Sequence, residues 1–218
     1  MYTPEAFKEG RTEVLHELIR QFPLATLVIP ERGDVVINHL PIVLRRDAAP
    51  RGTLVGHVPK TNAVWELMNG DRRATAVFQG ANAYITPSWY PSKHEHGRAV
   101  PTWNYAVVHV RGKPRAIDDS RWVLTHLEEL TETLESSQAL PWKVSDAPQD
   151  FTDRMVSQLV GIEMPIDAIE GKWKTSQNRP HADQIGVVAG LKSRGDDESL
   201  AMAELVALSS DATDAPEK

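Results

Sequence analysis

The 218-residue sequence contains no cysteine. A disulfide framework, a catalytic thiolate and any cysteine-ligated metal or iron–sulfur centre are therefore excluded. Redox chemistry in this protein would need a bound cofactor.

An excess of positive charge is also missing. Lys and Arg number 24 against 30 Asp and Glu, which gives a formal net charge of −6. Such a chain has no overall basic field that attracts nucleic acid, so DNA binding would require a local basic patch. The sequence has neither an apolar run of membrane-spanning length nor a basic and then apolar N-terminus, so we expect a cytoplasmic protein that does not enter a membrane.

Short segments rich in β-branched residues, separated by turn residues, fill the first half of the chain. We predict strands over Leu24–Ile29, Val35–Asn38, Leu40–Leu44, Thr53–Val58, Ala74–Gly80, Ala83–Thr86 and Val100–Arg111. Many strands followed by late helices favour an antiparallel β-barrel with added helices over a doubly wound sheet. No strand–GxGxxG–helix unit supports a dinucleotide fold.

Helical spacing of apolar residues marks three further regions. An N-terminal helix follows Thr3-Pro4, a helical insertion occupies about 119–161, and a weak helix covers Leu200–Leu208. A strand over Ile162–Ile169 contains Pro165, which indicates a position near a sheet edge. We predict one domain over residues 1–208 and a disordered tail over 209–218.

Two short motifs superficially suggest other ligands. Gly186–Ser193 resembles a phosphate-binding P-loop, but Leu191 stands where that motif needs a glycine before the lysine, and we favour a glycine-rich connection. His94-Glu95-His96 offers two imidazoles and a carboxylate, but it lies in a charged stretch and lacks a third ligand, so we favour a solvated loop and predict no metal site.

Three segments concentrate polar and aromatic residues: Gly56–Asn62, Val100–Tyr105 and Gly171–Asn178. Taken singly, each is explained by turn chemistry and buried aromatic residues. Together they provide what flavin mononucleotide (FMN) needs, namely a cation with hydroxyl and amide donors for the phosphate, a flat apolar wall for the ring, and amides for its pyrimidine edge.

The roles follow from the residue types. Lys60, Thr61 and Asn62, at a strand end that enters a helix, suit the phosphate. Trp103 and Trp173 suit the ring. The amides that suit the pyrimidine edge are Asn104, Gln177 and Asn178.

Motifs spread along the chain resemble the PaiB-like family of FMN-binding negative transcriptional regulators. The match covers about residues 1–205. The matching motifs are Met1-Tyr2-x-Pro4-x-x-Phe7, Asn38-His39-Leu40-Pro41, Gly56-His57, Tyr84-x-x-Pro87-Ser88-Trp89-Tyr90, Val100-Pro101-Thr102-Trp103-Asn104-Tyr105, Gly161-Ile162-Glu163 and Gly171-Lys172-Trp173-Lys174-x-Ser176-Gln177-Asn178.

The resemblance implies a bacterial split β-barrel, related to pyridoxamine-phosphate oxidase and flavin reductases, that binds FMN at a homodimer interface. With the motifs, the predicted cofactor-binding residues are His39, His57, Lys60, Thr61, Asn62, Trp103, Asn104, Lys174, Gln177 and Asn178. Relatives read His-x-Ala-Arg-Ala-Asn-Pro where this chain has His57-Val58-Pro59-Lys60-Thr61-Asn62-Ala63, so the charge is kept at Lys60 but the bidentate geometry of arginine is lost.

Three functions remain open at this point. The family label implies a transcriptional regulator that represses genes directly or through a partner, although no helix-turn-helix is recognisable. A flavin-dependent oxidoreductase is the alternative, for which no substrate acid or base is identifiable. Haem binding is the third, because several histidines are available: His39, His57, His94, His96 and His109.

Overall fold

The computed structural model describes residues 1–46 and 49–213. The chain divides into two compact units, each assembled from segments that are distant in sequence. Unit 1 contains Met1–Leu15, Gln79–Val108 and the chain from Glu170 onwards, and unit 2 contains His16–Phe78 and His109–Ile169. Three long strands each supply residues to both units.

Nine strands make up the sheet: β1 (Lys8–Glu9), β2 (Leu24–Glu31), β3 (Asp34–Pro41), β4 (Val43–Arg45), β5 (Thr53–Pro59), β6 (Ala74–Ile85), β7 (Thr102–Gly112), β8 (Arg115–Ile117) and β9 (Leu159–Lys174). Their order is β3-β2-β6-β7-β9-β5-β4, with β1 and β8 also paired to β9. Every pairing whose register is described is antiparallel. The predicted mainly β, antiparallel fold is confirmed.

Six α-helices are described: α1 (Thr12–Gln21), α2 (Ser92–His96), α3 (Ser120–Glu135), α4 (Gln149–Ser157), α5 (His181–Arg194) and α6 (Asp197–Thr213). Short 3-10 helices cover Glu5–Phe7, Ala63–Met68, Pro87–Trp89 and Val144–Asp146. No helix in the described ranges is long and apolar enough to cross a membrane.

The barrel interior of unit 2 is filled by its own side chains. Along β2 the residues alternate between buried and partly exposed, with Ala25 and Leu27 pointing inwards. A cavity of only about 10 Å³ remains inside, lined by Ala25, Leu27, Ile42, Leu54, Ala76, Pro114, Ile162 and Met164. That is at most room for one water molecule. This cavity is too small for a flavin.

The late strand differs from its prediction in length and position. β9 begins at Leu159, directly after α4, and lies between β7 and β5. The predicted edge position is therefore wrong. Pro165 is tolerated there because it pairs with Thr53, the first residue of β5, so its missing N–H costs little of that ladder.

The helical insertion lies against the barrel of unit 2. Asp119 caps α3 by accepting hydrogen bonds from the backbone N–H groups of Arg121 and Trp122. Trp122 then covers Gly161, where an added Cβ would lie 2.2 Å from the indole ring. The glycine of the Gly161-Ile162-Glu163 motif is thus explained by close packing of a helix on a strand.

Two helices cover one side of the strands in unit 1. α5 and α6 bury Val187, Leu191, Met202 and Val206 against alanines of β6. The P-loop-like Gly186–Ser193 stretch lies inside α5, where an added Cβ at Gly186 or Gly190 would collide with Trp89. It is therefore helical, and not the glycine-rich connection that the sequence suggested.

Both ends of the chain correct the sequence analysis. Lys8 and Glu9 pair with β9 as a short strand, so the first α-helix begins at Thr12 and not after Thr3-Pro4. At the other end α6 continues to Thr213, so 209–213 of the predicted disordered tail are helical. The rest of that tail, 214–218, lies outside the described residues.

Candidate functional site

The predicted site residues fall into two groups, one in each unit. His39, His57, Lys60, Thr61 and Asn62 belong to unit 2, whereas Trp103, Asn104, Lys174, Gln177 and Asn178 belong to unit 1. Each group is described within its own unit.

Lys60 follows the last residue of β5 and is exposed. Its Nζ forms an ion pair of 2.8 Å with Asp118, and both side chains are largely in solvent. An exposed pair of this kind contributes at most about 1 kcal/mol, so Lys60 can exchange this partner for an anionic ligand at little cost.

Asn62 is held by the fold. Its Oδ1 accepts from the N–H of Val64, and its Nδ2 donates to Asn38 Oδ1 at 2.7 Å. The helix it caps is a six-residue 3-10 helix over Ala63–Met68, which is too short to supply the helix-terminal donors that the sequence suggested for a phosphate. Thr61, beside it, has an exposed side chain.

His57 is half-buried in the middle of β5, and its ring contacts a second histidine that the sequence analysis did not single out. His57 Nδ1 lies 3.2 Å from Nε2 of His126, a fully buried residue of α3. Burial lowers the pKa of His57. Burial, with His57 and Arg45 nearby, lowers the pKa of His126 to about 3. Both rings are therefore neutral near pH 7.

His39 points outwards from β3. It shares this face with Val35 and Ile37, which are 49% and 54% exposed, while Leu40 points inwards. His39 thus belongs to an exposed and otherwise mostly apolar face of the barrel sheet.

In unit 1, one face of the neighbouring strands β6, β7 and β9 carries aromatic, amide and cationic side chains. Trp103 and Tyr84 are 51% and 41% exposed, with ring centroids 6.1 Å apart. Trp103 Nε1 donates to Asn82 Oδ1 at 3.0 Å, which fixes the indole. We call this face the unit 1 platform: Asn82, Tyr84, Trp103, Tyr105, Lys172 and Lys174.

Among the described residues, no ion pair joins the lysines of the platform to an acidic side chain. Lys174 Nζ donates to Thr102 Oγ1 and, at 2.9 Å, to the carbonyl of Trp103. Lys172 lies over the rings of Tyr105 and Tyr2. Burial, followed by the charges of Lys172 and Arg179, lowers the pKa of Lys174. An anionic ligand would relieve this repulsion, so the cluster is electrostatically suited to one.

The turn after β9 is held by its own side chains. Gln177 Oε1 accepts from the N–H of Thr175 at 2.7 Å, and Gln177 Nε2 donates to the carbonyl of Trp173 at 2.5 Å. Ser176 has a φ of +63°, a left-handed conformation that a non-glycine residue adopts only with local support. That support includes fully buried Asn104, whose Nδ2 donates to Ser176 Oγ.

These contacts divide the unit 1 residues by role. Asn104 and Gln177 shape the turn from within, whereas Trp103 and Lys174 present surface to a ligand. Asn178 is exposed. Sequence reasoning missed Tyr84 and Asn82 as neighbours of Trp103, although an aromatic and an amide two residues apart on one strand share a face.

Another cleft lies away from these residues. It has a volume of about 520 Å³ and is formed by the second half of α3 and residues 141–145. Its wall carries Glu128, Glu132 and Glu135. These carboxylates would repel a phosphate, and none of the predicted site residues lines it.

A metal site is not found either. His94 and Glu95 lie on the short helix α2, with exposed side chains. Within the described residues, no group of three or more His, Asp and Glu side chains could hold a metal ion.

Comparison with known proteins decides the cofactor. Residues 1–168 match the model of a protein family described as "Putative FMN-binding domain". The chain belongs to this FMN-binding family. FMN is accordingly its cofactor, and the donors, cations and exposed indole described above fit such a ligand.

Two relatives match along nearly their whole length. An uncharacterised protein of Emericella nidulans is 30% identical, and the protease synthase and sporulation protein PAI 2 of Bacillus subtilis is 28% identical, each over 94% of this chain and 96% of the relative. The family is thus found in a fungus as well as in a bacterium.

A solved structure supports the split-barrel fold. The FAD and heme binding protein from Mycobacterium smegmatis superposes with a TM-score of 0.56 and 14% identity, over 77% of this chain and 73% of that one. The mostly antiparallel β half-barrel with added helices therefore agrees with the fold implied by the family resemblance.

Proposed function

We propose that this protein is a homodimeric, flavin-responsive regulator that binds FMN, with candidate contacts in each of the two groups described above. The observation that supports it best is the unit 1 platform, where an exposed indole adjoins lysines that form no ion pair with the part of the chain that the structure describes. An isoalloxazine ring is flat and apolar with an electron-rich pyrimidine edge, and FMN adds a phosphate.

The proposal assigns each contact by its chemistry. Trp103 and Tyr84 pack against the ring, and Lys174 stabilises negative charge on the pyrimidine edge or the phosphate. Lys60 binds the phosphate by exchanging Asp118 for it, and His57 donates a hydrogen bond to the ligand. When bound, FMN supplies one- or two-electron redox chemistry.

Regulation is favoured over catalysis because the platform carries neither a carboxylate nor an imidazole, the side chains that most often transfer protons to and from substrates. The bacterial relative is named for protease synthesis and sporulation, and not for a substrate. With a formal charge of −6, the chain suits action through a protein partner better than direct DNA binding.

An exposed apolar face of unit 2 supports the proposed homodimer. Leu24, Val35 and Ile37 are exposed on the outer face of β2 and β3, where the register places Ile37 opposite Val28. The side chains of this barrel face are Leu24, Thr26, Val28, Val35, Ile37 and His39, and none of them is a carboxylate, a lysine or an arginine. A mostly apolar face is complementary to a second copy of itself, so we infer that two copies associate through it.

The oxidoreductase alternative is favoured by the exposure of Trp103, which leaves room for a substrate beside a bound ring. Anaerobic incubation of the FMN-loaded protein with NADH or NADPH separates the two functions. A regulator is expected to leave the flavin oxidised over minutes, whereas rapid bleaching of the flavin absorbance would establish the oxidoreductase. A Soret band in the purified protein would instead reveal haem.

A further inference from the structure

His126 is a fully buried histidine that none of the contacts proposed above uses. Its ring lies between two others, stacked on Trp122 at 5.6 Å and edge-on to His57 at 5.3 Å. The only described partner of its polar atoms is His57 Nδ1, at 3.2 Å from His126 Nε2. Its Nδ1 is buried and has no hydrogen-bond partner among the described residues.

The unpaired nitrogen decides where the protons lie. A buried N–H without an acceptor costs more than a buried lone pair without a donor, and such N–H groups are rare in folded proteins. His126 Nδ1 must therefore be the bare nitrogen, and the proton of this neutral ring lies on Nε2. From there it is donated to Nδ1 of His57.

The proton of His57 then lies on its other nitrogen. With Nδ1 accepting from His126, neutral His57 carries its hydrogen on Nε2, for which the described residues provide no acceptor. His57 remains half-exposed, so this N–H is available to a ligand. Charged groups beside the pair include Arg45, which lies over Trp122 and near His126, and Glu129, which binds Arg45 at 2.6 Å.

We propose that His126 is a positioning residue that fixes His57 as a neutral donor, with its Nε2–H directed to an acceptor atom of the flavin ring. The inference rests on the proposed function in placing His57 at the FMN site. A ring carbonyl or ring nitrogen is the better match than the phosphate, because a phosphate dianion would favour the imidazolium, and burial disfavours it. In this assignment His57 binds the flavin ring and Lys60 binds the phosphate.

The matched variants are His126→Gln and His126→Leu. Glutamine keeps an N–H donor near the place of Nε2, whereas leucine removes it at similar size. We expect His126→Leu to weaken FMN binding about tenfold, because one hydrogen bond to the ligand is lost. The FMN affinity of His126→Gln should stay within about threefold of that of the unaltered protein. The flavin absorbance maximum of His126→Leu should shift as it does in His57→Leu.

Riboflavin, which lacks the phosphate, separates ring from phosphate contacts. His126→Leu should weaken riboflavin and FMN binding equally, whereas Lys60→Ala should weaken only FMN binding. If both leucine variants bind FMN with unchanged affinity and spectrum, the positioning role is overturned and FMN binding itself stands. If the unaltered protein binds neither flavin, the proposed function fails instead.

A measurement without mutation covers the case in which His126→Leu does not fold. In protein labelled with ¹⁵N at histidine, the chemical shifts distinguish the two neutral tautomers of His57. The inference predicts a protonated Nε2 and a bare Nδ1 in the ligand-free protein near pH 7. The opposite tautomer would overturn it.

Discussion

At the scale of single residues, the buried histidine pair makes stability depend on pH. His126 has its pKa lowered to about 3 in the folded protein and regains an ordinary value near 6.5 on unfolding. Below about pH 6.5 the unfolded chain binds a proton that the folded chain excludes, so stability is complete above this pH and is lost as the pH falls towards 3.

The expected loss from His126 is about 2 kcal/mol between pH 7 and pH 5. Urea unfolding at the two pH values measures it, with His126→Gln as the comparison, because glutamine does not titrate. Equal pH dependence of the two proteins would show that His126 titrates normally when folded.

Gln177 and Asn178 are neighbours of the same polar type with different surroundings. Gln177 forms three hydrogen bonds within its turn, whereas Asn178 is exposed. We expect Gln177→Ala to lower the free energy of unfolding of the ligand-free protein by about 1–2 kcal/mol and Asn178→Ala to change it by less than about 0.5 kcal/mol. Thermal unfolding of both variants tests this, and equal stability of the two would contradict the structural role of Gln177.

At the scale of elements, alternation and caps were readable from the sequence. β2 and β5 are short segments rich in β-branched residues, and the middle of β9 follows a period-two pattern. Asp119 is followed by apolar residues at helical spacing, so these elements were predicted close to their observed places. The family motifs likewise marked His57, Trp103 and Lys174 before any geometry was known.

Other elements depend on contacts that no local pattern carries. α5 was missed because its two glycines read as a loop, yet they lie in the helix to make room for Trp89. Pro165 wrongly indicated an edge strand. A proline is tolerated at this position of β9 because its partner, Thr53, is the first residue of β5, and the sequence does not show that pairing. His126 was missed because a histidine on an amphipathic helix has no sequence signal until a second histidine on β5 lies opposite it.

At the scale of the whole molecule, the exposed face of β2 and β3 is the proposed homodimer interface. A lysine at position 37 would place a charge on this mostly apolar face, so Ile37→Lys is expected to convert the dimer to the 24.3 kDa monomer. Leu208→Lys is the matched control, since Leu208 is 67% exposed on α6 and outside the proposed interface.

Sedimentation at micromolar concentration distinguishes the species. A dimer for the unaltered protein and for Leu208→Lys, with a monomer for Ile37→Lys, is the expected result. A monomeric unaltered protein, or a dimer that survives Ile37→Lys, would contradict association through this face.

The central claim is that FMN binds at the platform formed by Trp103 and Lys174, and titration of ligand-free protein with FMN tests it most directly. Flavin fluorescence quenching gives the dissociation constant for the unaltered protein, for Lys174→Ala and for Lys192→Ala, an exposed lysine of α5 away from the platform. Saturable binding is predicted, weakened about tenfold or more by Lys174→Ala and unchanged by Lys192→Ala. No binding by the unaltered protein, or equal affinity in all three, would contradict the assignment.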